Sequence, residues 1–224
     1  MQKDGELPTT PGPAGPWSLV VPLKPLALAK SRLAGAGPGA PDRPGLALAF
    51  ALDTVAAALA CPAVRDVVVV TDDPAAAGPL AALGARTVAD RPAAGLNAAL
   101  AHGAAAVRAR RPDAPVATLN ADLPALRPAE LFRVLGAAGQ FPRAFLADAA
   151  DIGTTLLTAA PGVELRPAFG GASRLRHLSS GAVEIGISGV DSVRRDVDTG
   201  DDLRAALALG VGPRTAERWA AYAG

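Results

Sequence analysis

The sequence predicts an α/β fold: a mostly parallel central sheet with helices wound on both of its faces. Three observations predict it. Val64–Val70 is a valine-rich run that does not alternate apolar with polar, as expected of a strand buried on both faces. Short apolar runs of this kind alternate with longer Ala- and Leu-rich stretches from Trp17 to Gly136. Two of the runs end abruptly in polar turns, Thr71-Asp72-Asp73-Pro74 and Asn120-Ala121-Asp122-Leu123-Pro124. In a parallel sheet such strand ends form the ligand-binding rim.

Taken in order, residues 1–16 hold Pro8, Pro11, Gly12, Pro13, Gly15 and Pro16, a composition that predicts a disordered tail. Residues 17–224 then form one domain. A first strand is expected over Ser18–Val21. It is followed by a basic loop carrying Lys24, Lys30 and Arg32, and by the Gly35–Gly39 connection. Arg43–Ala60 reads as a helix, Val64–Val70 as a strand and Pro74–Leu83 as a helix stopped by Gly84. Arg86–Ala89 reads as a short strand, Gly95–Arg110 as a long helix with a basic last turn, and Pro115–Leu119 as a strand. Beyond Gly136 the pattern is less regular. Strands are expected at Arg143–Ala147, Thr154–Thr158 and Val183–Ile187, with helices at Ser173–Ser180 and Asp201–Leu209 and an Ala-rich tail.

The chain has 224 residues, half of them hydrophobic but only 4% aromatic, so its core must be built from Ala, Val and Leu. Lys and Arg total 22 against 21 Asp and Glu, a net charge of +1, which argues against a broad nucleic-acid surface. The single Cys61 excludes an internal disulfide framework and reads as a small buried filler. His102 and His177 are too few for a histidine metal site. Neither a signal peptide nor a bilayer-spanning run is visible, and a soluble cytoplasmic protein is expected.

Three constellations could carry chemistry. Asp122 follows a strand directly and could hold a hard divalent cation, or could simply end the turn. In Arg195-Asp196-Val197-Asp198-Thr199, the two aspartates alternate on an extended segment and share a side. Asp201 and Asp202 stand at a helix start, where capping accounts for at least one of them. Gly153-Thr154-Thr155 and Phe169-Gly170-Gly171-Ala172-Ser173 offer hydroxyls and glycine amides suited to anions, although β-propensity explains the threonines and N-capping explains Ser173 equally well. No P-loop and no G-x-G-x-x-G after a strand is present. Basic groups at one strand end, carboxylates at two others and two hydroxyl/Gly loops suit nucleotidyl transfer from an NTP to a small anionic acceptor.

Val21-Pro22-Leu23-Lys24 through Lys30-Ser31-Arg32-Leu33, Asp122-Leu123-Pro124, Gly153-Thr154-Thr155-Leu156-Leu157, Phe169-Gly170 with Ser173, His177 and Arg195-Asp196-Val197-Asp198-Thr199 resemble the guanylyltransferases of deazaflavin coenzyme F-420 biosynthesis. The resemblance runs from about Trp17 to Thr215. It implies a single-domain Rossmann-like nucleotidyltransferase of the nucleotide-diphospho-sugar transferase type, acting on GTP and 2-phospholactate or phosphoenolpyruvate with release of pyrophosphate. It further implies that Lys24, Lys30, Ser31 and Arg32 contact the triphosphate, with the three basic residues catalytic. Gly95, Leu96 and Asn97 would lie against base and ribose. Asp122 and Asp198 would bind Mg²⁺, with Asp196 the alternative to Asp198. Thr155, Gly170 and Ser173 would hold the acceptor.

The chain departs from that pattern in having Ala121 where the family usually has Gly, which would crowd the nucleotide if the backbone there needs positive φ. It is also poorer in glycine over Asp148–Gly153. Guanine rests on the family alone. Phosphoenolpyruvate is expected over 2-phospholactate because the Ala/Arg/Pro bias points to GC-rich coding. A molybdopterin or sugar-phosphate nucleotidyltransferase, or a non-catalytic nucleotide-binding protein of the same fold, remain alternatives. Oligomeric state stays open.

Overall fold

The computed structural model of the protein describes residues 15–28, 42–91 and 93–223. The expected tail, for residues 1–14, and Lys30, Ser31 and Arg32 lie outside the described residues.

Seven strands form one sheet: β1 (Trp17–Pro22), β2 (Val64–Val70), β3 (Arg86–Val88), β4 (Val116–Leu119), β5 (Arg143–Ala147), β6 (Thr154–Ala159) and β7 (Val183–Glu184). Their order across the sheet is β3-β2-β1-β4-β6-β5-β7. β1 pairs in parallel with β2 and β4, β2 with β3, and β5 with β7; β6 runs antiparallel to both of its neighbours. The mostly parallel α/β architecture is therefore as expected, with one reversed strand in the less regular C-terminal part.

The valine-rich strands are buried on both faces because helices cover both. α1 (Arg43–Leu59), α2 (Pro74–Ala82) and α4 (Pro128–Ala138) pack on one face, where Leu19 and Val21 of β1 and Val67 and Val69 of β2 meet Val55, Leu80 and Leu131. α3 (Leu96–Arg108) covers the other face, where Val20, Val68 and Val70 meet Leu100, Ala104 and Val107. Successive strand residues thus enter opposite cores. Cys61 is buried in the first core, as a filler should be, and burial raises its thiol pKa.

The helices α5 (Ser173–Ser179), α6 (Asp191–Arg194), α7 (Gly200–Leu209) and α8 (Pro213–Ala223) complete the chain. α7 opens on a capping box in which Thr199 and Asp202 exchange bonds with each other's backbone, so capping does account for Asp202. Three helices were not assigned from the sequence. α4 begins at a proline after Arg127, which makes no side-chain cap, and α6 is a single turn. The Ala-rich tail is α8, packed with Trp219 beside the small cluster of Leu46, Phe50, Val197 and Leu203. Its cap comes from far away: the buried carboxylate of Asp53 accepts from Thr215 N–H at 2.8 Å and Arg214 N–H at 3.3 Å. The strand expected over Val183–Ile187 pairs only at Val183 and Glu184, since β7 is a short edge strand.

Among the described residues, no helix is long and apolar enough to cross a membrane.

Candidate active site

β1 lies between β2 and β4, so connections leave it on both sides and a crevice opens beyond the carboxyl ends of β1 and β4. That crevice is an open cleft of 390 Å³. Pro22, Leu23 and Lys24 enter it from the end of β1, and Asn120, Ala121 and Asp122 from the end of β4. Asp196 and Asp198 come from the segment before α7, Leu96 from the start of α3, and Phe169, Gly170, Gly171 and Ser173 from the loop into α5.

Several residues singled out from the sequence therefore meet in one place: Lys24, Leu96, Asp122, Asp198, Gly170 and Ser173. Gly95 lies just outside, lining an adjoining pocket of 80 Å³ with Pro22, Lys24, Asp72 and Asp90. Just after Lys24, Leu26 N–H donates to the Asp73 carboxylate at 2.7 Å, and the same carboxylate caps α2 by accepting from Ala75 N–H at 2.9 Å.

Val197 is fully buried between the two aspartates, and its N–H donates to the Asp122 carbonyl at 3.0 Å. This bond stitches the Asp196–Asp198 segment to the β4 end and sends both carboxylates to the cleft. Asp196 pays the electrostatic penalty. Burial first, then the charges of Asp122, Asp198 and Asp148, push its carboxyl up to about 7. Its one described side-chain partner is Asn120 Nδ2 at 3.5 Å.

Asp148 was missed as a site residue. Its carboxylate closes the turn ahead of β6, accepting from Ile152 N–H at 3.0 Å and Gly153 N–H at 2.8 Å. A Cβ at Gly153 would sit 2.3 Å from Asp148 Oδ2, so this turn requires glycine. The D-x-x-x-x-G spacing was the only available signal, and it reads as an ordinary turn.

The four carboxylates bring concentrated negative charge and hard oxygen donors, as a divalent cation needs. Among the described residues no three His, Cys, Asp or Glu converge as a ready-made metal cage. One or two carboxylates, with water and substrate phosphate filling the remaining positions, are what a hard divalent cation such as Mg²⁺ would need.

Four expectations change. Thr155 is fully buried, does not line the cleft, and its Oγ1 has no partner among the described residues; Thr154 lines the cleft instead. Adjacent strand residues face opposite ways, so one position decides the matter. Asn97 does not line the cleft either: its amide is spent on the backbone of Phe169. Ser173 is not an N-cap. Ala172 occupies that position and α5 has no side-chain cap, which leaves the Ser173 hydroxyl to the cleft. Finally, Ala121 does not demand glycine, because the positive φ angles outside glycine belong to Ala93, Asp151 and Arg166. Gly170, by contrast, has φ +97 and cannot carry a side chain without strain.

His177 stands behind the Thr154 wall. It is fully buried between Phe145 and Phe169, whose ring centroids lie 5.6 and 5.1 Å away. Burial, and then the charges of Arg143 and Arg176, hold its pKa down to about 4, so the ring is neutral.

Comparison with known proteins places this geometry. The model of the MobA-like NTP transferase domain matches residues 49–185. A protein of Streptomyces coelicolor named phosphoenolpyruvate guanylyltransferase is 74% identical over 202 residues, covering 89% of this chain and 94% of that protein. One of the same name from Thermomonospora curvata is 64% identical over 200 residues, covering 89% and 87%. Among solved structures, a nucleotidyl transferase of Methanothermobacter (Mth528) superposes with a TM-score of 0.62 at 24% identity, over 86% of this chain and 96% of that one. A 4-diphosphocytidyl-2C-methyl-D-erythritol synthase does so with 0.59 at 14% identity, over 87% and 99%. At those identities the two structures speak for the fold alone. The sequence relatives carry more, and with the cleft they establish that this chain is a nucleotidyltransferase belonging to the phosphoenolpyruvate guanylyltransferase family.

Proposed function

We propose that the chain transfers a guanylyl group from GTP to phosphoenolpyruvate, or to 2-phospho-L-lactate, and releases pyrophosphate. The product is the activated guanosine-diphosphate intermediate of deazaflavin coenzyme F-420 biosynthesis. The observation that carries this reading is a single cleft lined by Asp122, Asp196 and Asp198 together with Thr154, Gly170 and Ser173. Base and acceptor follow the name of the relatives.

Lys24, with Lys30, Ser31 and Arg32 a few residues further along the sequence, takes the triphosphate. Gly95 and Leu96 flank the adjoining pocket beside Lys24 and receive ribose and base. Asp122 and Asp198, with Asp196 beside them, would hold Mg²⁺, which when bound would supply charge neutralisation for the phosphate oxygens. Thr154, Gly170 and Ser173 fix the acceptor so that one of its phosphate oxygens attacks the α-phosphorus in line with the leaving pyrophosphate. That phosphate is ionised at neutral pH, so the step needs no general base. The only histidine near the cleft is buried and neutral, which agrees with such a step.

Mass spectrometry of products from GTP and Mg²⁺, with each acceptor in turn, tests the reading. Pyrophosphate release that is equal with and without phosphoenolpyruvate or phospholactate would falsify it. Activity only on a sugar phosphate or molybdopterin would move the chain to another branch of the fold. Lys30→Ala or Arg32→Ala should weaken GTP use far more than acceptor binding.

A further inference from the structure

Behind the acceptor wall, two hydrogen bonds on one imidazole fix where a proton must be. Ala168 N–H points at His177 Nε2 at 3.0 Å, and Thr154 Oγ1 lies 2.9 Å from His177 Nδ1. A backbone N–H can only donate, so Nε2 must be the bare, accepting nitrogen. The ring hydrogen is therefore on Nδ1, and Nδ1 donates to Thr154 Oγ1. Thr154 cannot give its own hydrogen to the ring. Among the described residues no other group bonds to that hydroxyl, and Thr154 lines the cleft.

We infer that His177 is a positioning residue whose Nδ1–H tautomer, set by Ala168 N–H, turns the Thr154 hydroxyl into an obligate donor toward the anionic acceptor. The inference rests on reading the Thr154–Gly170–Ser173 wall as the acceptor side. It deepens that reading by naming which threonine serves and what orients it. A hydroxyl that already accepts from imidazole is polarised for donation, so a deprotonated phosphate or carboxylate oxygen suits it better than a donor group on the ligand would. The arrangement costs no reorganisation on binding, because His177 is fully buried and Thr154 is only 4% exposed. Phe145 and Phe169 fix the plane of the ring, and the Phe169 ring meets it nearly edge-on at 71°.

The chemistry separates two conservative replacements. Asn places an amide N–H near the position of Nδ1 and keeps a donor for Thr154. Gln reaches toward the position of Nε2, so it can accept from Ala168 N–H but leaves Thr154 Oγ1 without its donor. We expect His177→Gln to raise KM for phosphoenolpyruvate roughly tenfold, with KM for GTP changed less than about twofold. His177→Asn should stay within about threefold of the parent on both, and Thr154→Val should match His177→Gln without adding to it in the double variant. Thermal melting of each variant separates lost fold from lost positioning.

The ring state is read without substrate, from the nitrogen-15 shifts of His177 in the intact protein, where the Nδ1-protonated pattern is expected. An Nε2-protonated ring overturns the inference. So does a rise in KM for GTP in place of the acceptor, or equal damage by Asn and Gln in folded proteins. If neither phosphoenolpyruvate nor 2-phospholactate is turned over, the functional reading fails by itself, and the tautomer measurement still decides the device behind Thr154.

Discussion

Asn97 and Phe169, 72 positions apart, hold each other by two hydrogen bonds: Nδ2 donates to the Phe169 carbonyl at 3.2 Å, and Phe169 N–H donates to Oδ1 at 2.7 Å. The pair ties the first turn of α3 to the loop that carries Gly170 and Gly171. Leu96, immediately before Asn97, lines the same cleft. One side chain thus joins the start of α3, on the proposed nucleotide side, to the loop on the proposed acceptor side.

Removing that side chain strands two half-buried backbone groups. Asn97→Ala should cost about 1–3 kcal/mol of stability and loosen the Gly170 loop. KM for the acceptor should then rise more than KM for GTP, as steady-state kinetics beside a denaturant curve would show. Were KM for GTP to rise alone, Asn97 would act on the nucleotide directly.

The carboxylate cluster predicts opposite effects on stability and activity. Asp122→Asn and Asp198→Asn should each lower kcat by about a hundredfold or more, because on the proposed reading the cation that offsets phosphate charge would lose a ligand. Asp196→Asn removes a carboxyl that burial and three neighbouring aspartates disfavour in its charged form. Its melting temperature at pH 8 should therefore rise even as turnover falls. A melting temperature that drops would mean that the Asp196 carboxylate contributes more in bonds than it loses in repulsion.

How much of this was legible in the sequence follows from the range of each interaction. Val64–Val70 and the polar turn at Asn120–Asp122 are local patterns, and both stood where expected. Thr154 against Thr155 was not legible, because the register shift between Leu146 and Ala147 on the partner strand lies in the pairing and not in the β6 sequence. The clamp by Asn97 and the cap by Asp53 span 72 and 162 positions, and no local propensity reports them. Asp148 was hidden for another reason. Its turn chemistry is common and gives no sign that the turn faces a cleft.

His177 gives a pH signature with a definite sign. Its folded pKa is held down to about 4 from the ordinary 6.5, so the unfolded chain takes up the proton first as pH falls. The stability it contributes is complete above pH 6.5 and is lost as pH falls from there toward 4, by up to about 1.4 kcal/mol per pH unit. Asp196 works the other way, since a raised carboxyl loses stability as pH rises toward its folded value. The two slopes offset each other in the parent protein. The comparison of parent with His177→Asn isolates the histidine: the variant should lose less stability between pH 6.5 and 4. An unchanged slope would mean that the buried ring is protonated already.

Asp53 is the last test, and it concerns the fold alone. The side chain is 2% exposed, and its carboxylate accepts from Thr215 N–H and Arg214 N–H and pairs with the Arg214 guanidinium at 3.4 Å. Asp53→Ala leaves the first turn of α8 without its cap and opens a small void beside α1, at a cost of about 2–4 kcal/mol. Asn can still accept from Thr215 N–H, so Asp53→Asn should recover about half of that loss. Neither variant touches the cleft residues, and KM for both substrates should hold at temperatures where the protein stays folded. If KM for GTP climbs with the loss of α8 packing, the helix reaches the nucleotide through α1, whose Ala47 lines the cleft.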